Sequence, residues 1–166
     1  DPARIMVAGS SAGGGLCAAT VLRARDQGGP PVAAQLLLSP MLDDRDRSVS
    51  TLQFDGTGGW DRQANRFGWA SLLGDRAGSE DVSPYAAPAR ATDLSGLPPT
   101  YLDVGSAEVF RDEVVAFASA IWAAGGQAEL HVFDGGFHGY ESVAAADVSI
   151  RTGRSREAWI RHHLGV

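Results

Sequence analysis

Arg4 to Gly9 (RIMVAG) is a short apolar run ending in glycine. The segment directly after it, SSAGGGLCAATVLRARDQGG, repeats Ala, Leu and Val at helical spacing until Gly28 and Gly29 stop it. A buried strand that turns straight into a helix leaves few folds open, because it is the opening half of a βαβ unit. The same alternation recurs downstream. Val32 to Ser39 is a second apolar run closed by Pro40, Thr100 to Gly105 (TYLDVG) a third and Ala128 to Asp134 (AELHVFD) a fourth. Val109 to Ala124 reads as a helix with Phe110, Val114, Phe117, Ile121 and Trp122 on one face, ended by Gly125 and Gly126. Ala144 to Leu164 reads as mostly helical, with a break expected near Gly153.

Strands alternating with helices predict a parallel sheet with helices on both faces, since right-handed crossovers put them there. Four strands make a thin sheet for a complete α/β enzyme. Residues 43–99 interrupt the alternation with an irregular excursion rich in Gly, Pro, Asp and Trp, within which Trp60 to Leu73 is compatible with one helix. At 166 residues and 44% hydrophobic, the chain is long and apolar enough for one packed core, since about 150 residues bury about 70% of their unfolded surface.

Charge and residue usage exclude several function classes. A net charge of −6 argues against a dedicated nucleic-acid binder. One cysteine, Cys17, supports neither an internal disulfide nor a cysteine-based zinc site, and is expected to be a small buried hydrophobe. All 14 basic residues are Arg, which removes Schiff-base lysine chemistry and leaves a P-loop unsupported. Asp43 and Asp44 form a carboxylate pair without a metal-ligand pattern and are expected to cap or turn the chain. No apolar run spans a bilayer and no signal-peptide pattern opens the chain, so a cytoplasmic location is expected. The sequence begins Asp1-Pro2 without Met, which suggests a processed or partial chain.

Chemistry concentrates at the strand-to-helix junctions. Gly9-Ser10-Ser11-Ala12-Gly13 is a G-x-S-x-G motif between a predicted strand and a predicted helix, the context a nucleophile elbow requires. Ser11, centred between the glycines, is the candidate nucleophile ahead of Ser10. The Ala12 N–H, at the helix N-terminus, is a candidate oxyanion donor. A glycine-rich turn or a phosphate loop is the plainer alternative, but the G-x-G-x-x-G spacing is not met. A serine nucleophile needs a base and an orienting acid, which in this architecture follow it in the order acid, then His. His138 lies in GGFHGY just after the last strand and is the candidate base. His131 falls inside that strand, and His162 and His163 lie near the end of the last helix, where packing or solvation is the expected role. Glu108, nearest the end of the third strand, is the candidate acid ahead of Asp112, while Asp103 is inside the strand. Acids in a first helical turn also serve the helix dipole alone. Trp60, Phe67 and Trp69 are candidates for an acyl pocket, with core packing as the alternative.

GSSAGGG, SPMLDDR, VSPYAAPARATDLSGLPPTYLDVGSAEVFRDE and FHGY, in that order, resemble the hormone-sensitive-lipase-like (bacterial family IV) esterases of the α/β-hydrolase superfamily, essentially end to end. The resemblance implies hydrolysis of carboxylic esters with short or medium acyl chains, without metal or organic cofactor. Ser11 matches the family nucleophile and His138 its histidine. Glu108 stands where members usually have Asp ahead of Arg111-Asp112-Glu113, and Ser10 where many have Asp. The resemblance also implies that residues 1–166 form one partial domain, whose strands are equivalent to the fifth to eighth of an eight-stranded sheet. The four preceding strands, the cap and the H-G-G-type oxyanion loop are then expected to be missing. An elbow strand left at an open edge predicts either a complementing N-terminal half or a homo-oligomer. A non-catalytic module assembling through that edge is the competing reading, and a serine peptidase of the same superfamily a weaker one.

Overall fold

The computed structural model describes residues 4–165. Four strands, β1 (Met6–Ser10), β2 (Ala34–Leu38), β3 (Thr100–Gly105) and β4 (Ala128–Phe133), pair side by side in chain order, every pair parallel. Met6 faces Ala34, Gln35 faces Thr100, and Thr100 faces Ala128, so all four strands end at the same edge of the sheet. Ligands in open parallel sheets bind at that carboxyl edge, and the loops that leave it carry every candidate catalytic residue.

Period-two alternation splits the sheet into two faces. On one, Leu37, Leu102 and Val104 pack with Cys17, Ala18, Val21 and Leu22 of α1 (Ala12–Asp26) and with Val114, Phe117, Ala118 and Ile121 of α4 (Arg111–Ala123). On the other, Ala34, Leu36 and Tyr101 pack against Trp159 of α5 (Asp147–Leu164). The two-faced α/β layering expected from the alternation is therefore present. Two details differ. Trp122 is 48% exposed, its indole N–H donating to the Ala128 carbonyl at 2.9 Å instead of entering the core. Gly153 does not break α5, which runs without interruption between the buried Thr152 and Trp159.

Between β2 and β3 the chain forms α2 (Val49–Gln53), α3 (Arg62–Leu73) and short 3-10 turns at Gly74–Arg76 and Pro88–Arg90. Side-chain caps begin both helices: Ser48 accepts from Thr51 N and Asp61 from Ala64 N. The excursion is fastened by a buried ion pair, in which Arg90 donates to both carboxylate oxygens of Asp44 at 2.6 and 2.9 Å while Gly78 N–H adds a third bond at 2.7 Å. Asp43 is instead bound by Arg45. The acidic pair thus holds loops together, and the described residues contain no cluster arranged to bind a metal. No helix among them is long and apolar enough to cross a membrane.

Candidate active site

β1 turns into α1 through Ser11, whose backbone (φ 56°, ψ −123°) lies outside the regions an L-residue prefers. Such strain persists only where neighbours over-determine it. Here Ser11 N–H donates to Leu38 O at 2.8 Å, and Ser11 O accepts from Met41 N at 3.0 Å and Gly15 N at 3.2 Å. Gly9 is required by contact: a Cβ there would lie 2.2 Å from the Gly13 carbonyl oxygen. Gly13 itself has open space where its Cβ would stand, so the motif's two glycines are not sterically equivalent. Ala12, the first residue of α1, has no intrahelical acceptor for its N–H and is exposed beside the serine.

The Ser11 hydroxyl is 2.9 Å from His138 Nε2. The imidazole arrives on the loop after β4 and has two aromatic neighbours, Phe110 edge-on at 5.0 Å and Trp60 tilted at 6.2 Å between ring centroids. Its Nδ1 is 3.3 Å from Glu108 Oε2. With Nδ1–H donating to Glu108, Nε2 is left as an acceptor for the serine proton. Glu108 is 1% exposed, and burial raises its carboxyl above the ordinary range against the opposing pull of His138.

The loops carrying Glu108 and His138 are fastened to one another. Ser106 N–H donates to Phe133 O and Ala107 N–H to Gly136 O, both at 2.8 Å, and Gly135 N–H donates to Ser106 Oγ at 2.9 Å. Downstream, the buried Tyr140 hydroxyl meets Thr152 Oγ1 at 2.7 Å and ties the histidine loop to α5.

Other acids are committed elsewhere. Asp103 is fully buried in a two-pronged pair with Arg156 at 2.6 and 2.9 Å, and Arg156 also holds Glu141. Asp112 accepts from Ser50 N at 2.7 Å and from Arg111, and Glu113 accepts from Leu42 N at 2.7 Å. Neither Asp112 nor Glu113 contacts the histidine. His131 pairs with Glu129 on the outer strand, and His163 stacks on Trp159, both remote from Ser11.

A cavity of about 200 Å³ opens beside Ser11, between Leu16 of α1, Met41, Trp60, and Gly68, Trp69 and Leu72 of α3. Trp60 and Trp69 line it. Phe67 does not: it points outward and is 73% exposed. Sequence reasoning missed Met41, Gly68 and Phe110. Phe110 reads as one apolar residue of a helix face, Met41 only as part of SPMLDDR, and Gly68 carries no signal beyond its place in a helix.

The family model for the alpha/beta hydrolase fold matches residues 1–142. Among curated relatives, Esterase LipI of Mycobacterium tuberculosis (strain ATCC 25618 / H37Rv) is 37% identical over 159 residues, covering 87% of this chain and 45% of its own length. An acetyl-hydrolase of Streptomyces hygroscopicus is 36% identical over 131 residues, covering 75% of this chain and 40% of its own. Among solved structures, a bacterial heroin esterase superposes with a TM-score of 0.96 at 48% identity, covering 99% of this chain and 53% of that one. The chain thus spans about half the length of the proteins it matches. On the extent of the family match, and on a four-stranded parallel sheet that superposes on solved esterases, this chain belongs to the α/β-hydrolase family, among its hormone-sensitive-lipase-like esterases.

Proposed function

We propose that this chain carries the nucleophile, base and acid of a carboxylic ester hydrolase acting through an acyl-enzyme. The observation that carries the reading is the unbroken chain of contacts from Ser11 Oγ to His138 Nε2 at 2.9 Å and from His138 Nδ1 to the enclosed Glu108 at 3.3 Å. Relatives named as esterases and as an acetyl-hydrolase agree with it.

In this mechanism Ser11 Oγ attacks the ester carbonyl as its proton passes to His138 Nε2. The negative charge on the carbonyl oxygen is met by the Ala12 N–H at the positive end of α1. Glu108 orients the ring and compensates the imidazolium. Collapse breaks the acyl–oxygen bond, and His138 protonates the leaving alcohol. Water, deprotonated by His138, then releases the acid and restores Ser11. The small cavity closed by Trp60, Gly68 and Trp69 suits a short acyl chain.

β1 is an outer strand of the sheet, and its free edge is where a further strand would pair, from a complementing N-terminal portion or a second copy. Turnover of p-nitrophenyl acetate and butyrate is therefore measured with the chain alone and with an added partner polypeptide carrying the preceding strands and the H-G-G loop. Ser11 is labelled in parallel with a fluorophosphonate and identified by mass spectrometry. Labelling that disappears in Ser11→Ala is expected. Absence of both labelling and turnover in both samples overturns the reading.

A further inference from the structure

Glu108 presents two oxygens, and the proposed machinery uses one. Oε2 faces His138 Nδ1, while Oε1 is buried and has no hydrogen-bond partner among the described residues. A second buried polar atom in the same condition is the hydroxyl of Ser39, a residue 2% exposed at the end of β2. Two enclosed groups left without partners are costly, and each calls for a physical reason.

Topology places the two groups together. Leu38 is in register with Asp103, and Ser39 N–H donates to Asp103 O at 2.8 Å, which fixes Ser39 beside the point where β3 leaves toward Glu108. Ser39 also holds a left-handed backbone (φ 40°), one of three non-glycine residues among those described to do so; another is Ser11. A serine kept at such a position and enclosed points to a use for its hydroxyl.

We infer that Ser39 is a positioning residue for the catalytic acid, its hydroxyl donating to Glu108 Oε1 while His138 donates to Oε2. This rests on the esterase reading above and adds a fourth member to the Ser11, His138 and Glu108 chain. The donated bond favours the ionised carboxylate against its burial and fixes the plane of the carboxyl group, so that Oε2 stays on the imidazole N–H. A hydrogen bond from the Ser39 hydroxyl pulls the Glu108 carboxyl downward, in the same sense as His138. The other titratable groups near Glu108 are Glu141, from the turn after His138, whose charge opposes ionisation, and Glu113 on α4, which would do the same once ionised. Ser39 and His138 are thus the two groups that support the carboxylate.

The test separates the hydroxyl from the backbone. Ser39→Gly removes the hydroxyl and relieves the left-handed strain, whereas Ser39→Ala removes the hydroxyl and keeps the strain. Both are expected to lower kcat for p-nitrophenyl acetate about tenfold with KM little changed, the scale of one hydrogen bond to a charged group. The acid limb of the pH profile is expected to move upward by about half a unit to one unit, because the Glu108 and His138 pair takes up its proton more readily without the donor. In a Glu108→Gln background, Ser39→Gly should cost no further activity. Wild-type kcat and acid limb in Ser39→Gly would overturn the inference, as would a full loss added to that of Glu108→Gln. If no preparation hydrolyses ester, the His138 Nδ1–H proton resonance, followed by NMR, still decides the matter. A resonance that moves from wild type to Ser39→Gly supports the contact independently of the esterase reading, and an unmoved resonance overturns it.

Discussion

The carbonyl oxygen of Gly136 lies 2.1 Å from where a Cβ on Gly105 would stand. Gly105 ends β3, three residues before Glu108, and Gly136 lies two residues before His138, so the loops that carry these two residues touch along their backbones. The hydrogen bonds from Ser106 and Ala107 to the histidine loop depend on that approach.

Gly105→Ala should therefore act on chemistry as well as on folding. A Cβ 2.1 Å from a backbone oxygen forces the loops about 1 Å apart, which costs about 3 kcal/mol of stability, the upper end of the usual penalty for overpacking. A displacement of about 1 Å between base and acid costs about a hundredfold in rate. Thermal melts and fluorophosphonate labelling of Ser11, run on the same sample, check this. A labelling rate that follows only the folded fraction would remove the coupling between the loops.

Glu108 and Asp112 were both open as the acid, and their surroundings in the fold separate their expected behaviour. Glu108→Gln leaves His138 Nδ1 facing an amide and favours the wrong tautomer, so kcat should fall by about 10³–10⁴. Asp112→Asn removes charge from a carboxylate that holds Ser50 N–H and Arg111. It should leave kcat within about twofold and lower Tm by about 2–4 °C, as expected for roughly 1 kcal/mol in a chain of this size. Steady-state kinetics and melts on both variants decide it; equal rate losses would return Asp112 to candidacy.

The strands were legible because each is a short apolar run closed by Gly or Pro, and the elbow because its motif sits at such a boundary. Residues 43–99 were not legible in the same way. Their shape depends on contacts such as Asp44 with Arg90, 46 positions apart, which leave no periodic trace. Trp122 shows the limit of counting apolar residues: at about 100° per residue it is turned away from Ile121 and leaves the core. Gly153 shows the opposite error, where packing of Thr152 and Trp159 on either side overrides a weak local propensity. Phe67 and Trp69 stand about 200° apart around α3, so only one of them can face the cavity. The geometric relation of Ser39 to Glu108 had no local signal, because β2 and β3 come together only through the parallel ladder.

Gly68 sets the depth of the cavity. A Cβ there would stand 3.3 Å from both Met41 Cε and Trp60 Cζ2, so any larger side chain grows into the space beside Ser11. Gly68→Val should lower kcat/KM for p-nitrophenyl butyrate by about 10–200-fold relative to acetate, the range for a methylene or two in an apolar pocket. Phe67→Ala, on the outer face, should leave the butyrate to acetate ratio unchanged. A ratio that moves with Phe67 and not with Gly68 would place the acyl chain elsewhere.

Glu113 gives a prediction about pH. It is 5% exposed on α4, and burial pushes its carboxyl well above the ordinary range, against the N–H bonds from Leu42 and Asp43 and with the negative charges of Asp43 and Glu108 adding to the rise. A carboxyl whose folded pKa lies above its unfolded value contributes stability that is fully present below the unfolded pKa. That contribution is lost as pH rises through the folded one, because the native state keeps a proton that the unfolded chain releases. The loss amounts to at most about 1.4 kcal/mol per pH unit for one group. Glu113→Gln retains an oxygen to accept from Leu42 N–H and has no proton to lose. Its Tm relative to wild type should therefore rise between about pH 5 and pH 8, with a constant offset from the amide's own packing. Melts of both proteins across that range measure the difference directly, and one that stays flat with pH would mean that Glu113 is not the group that carries this dependence.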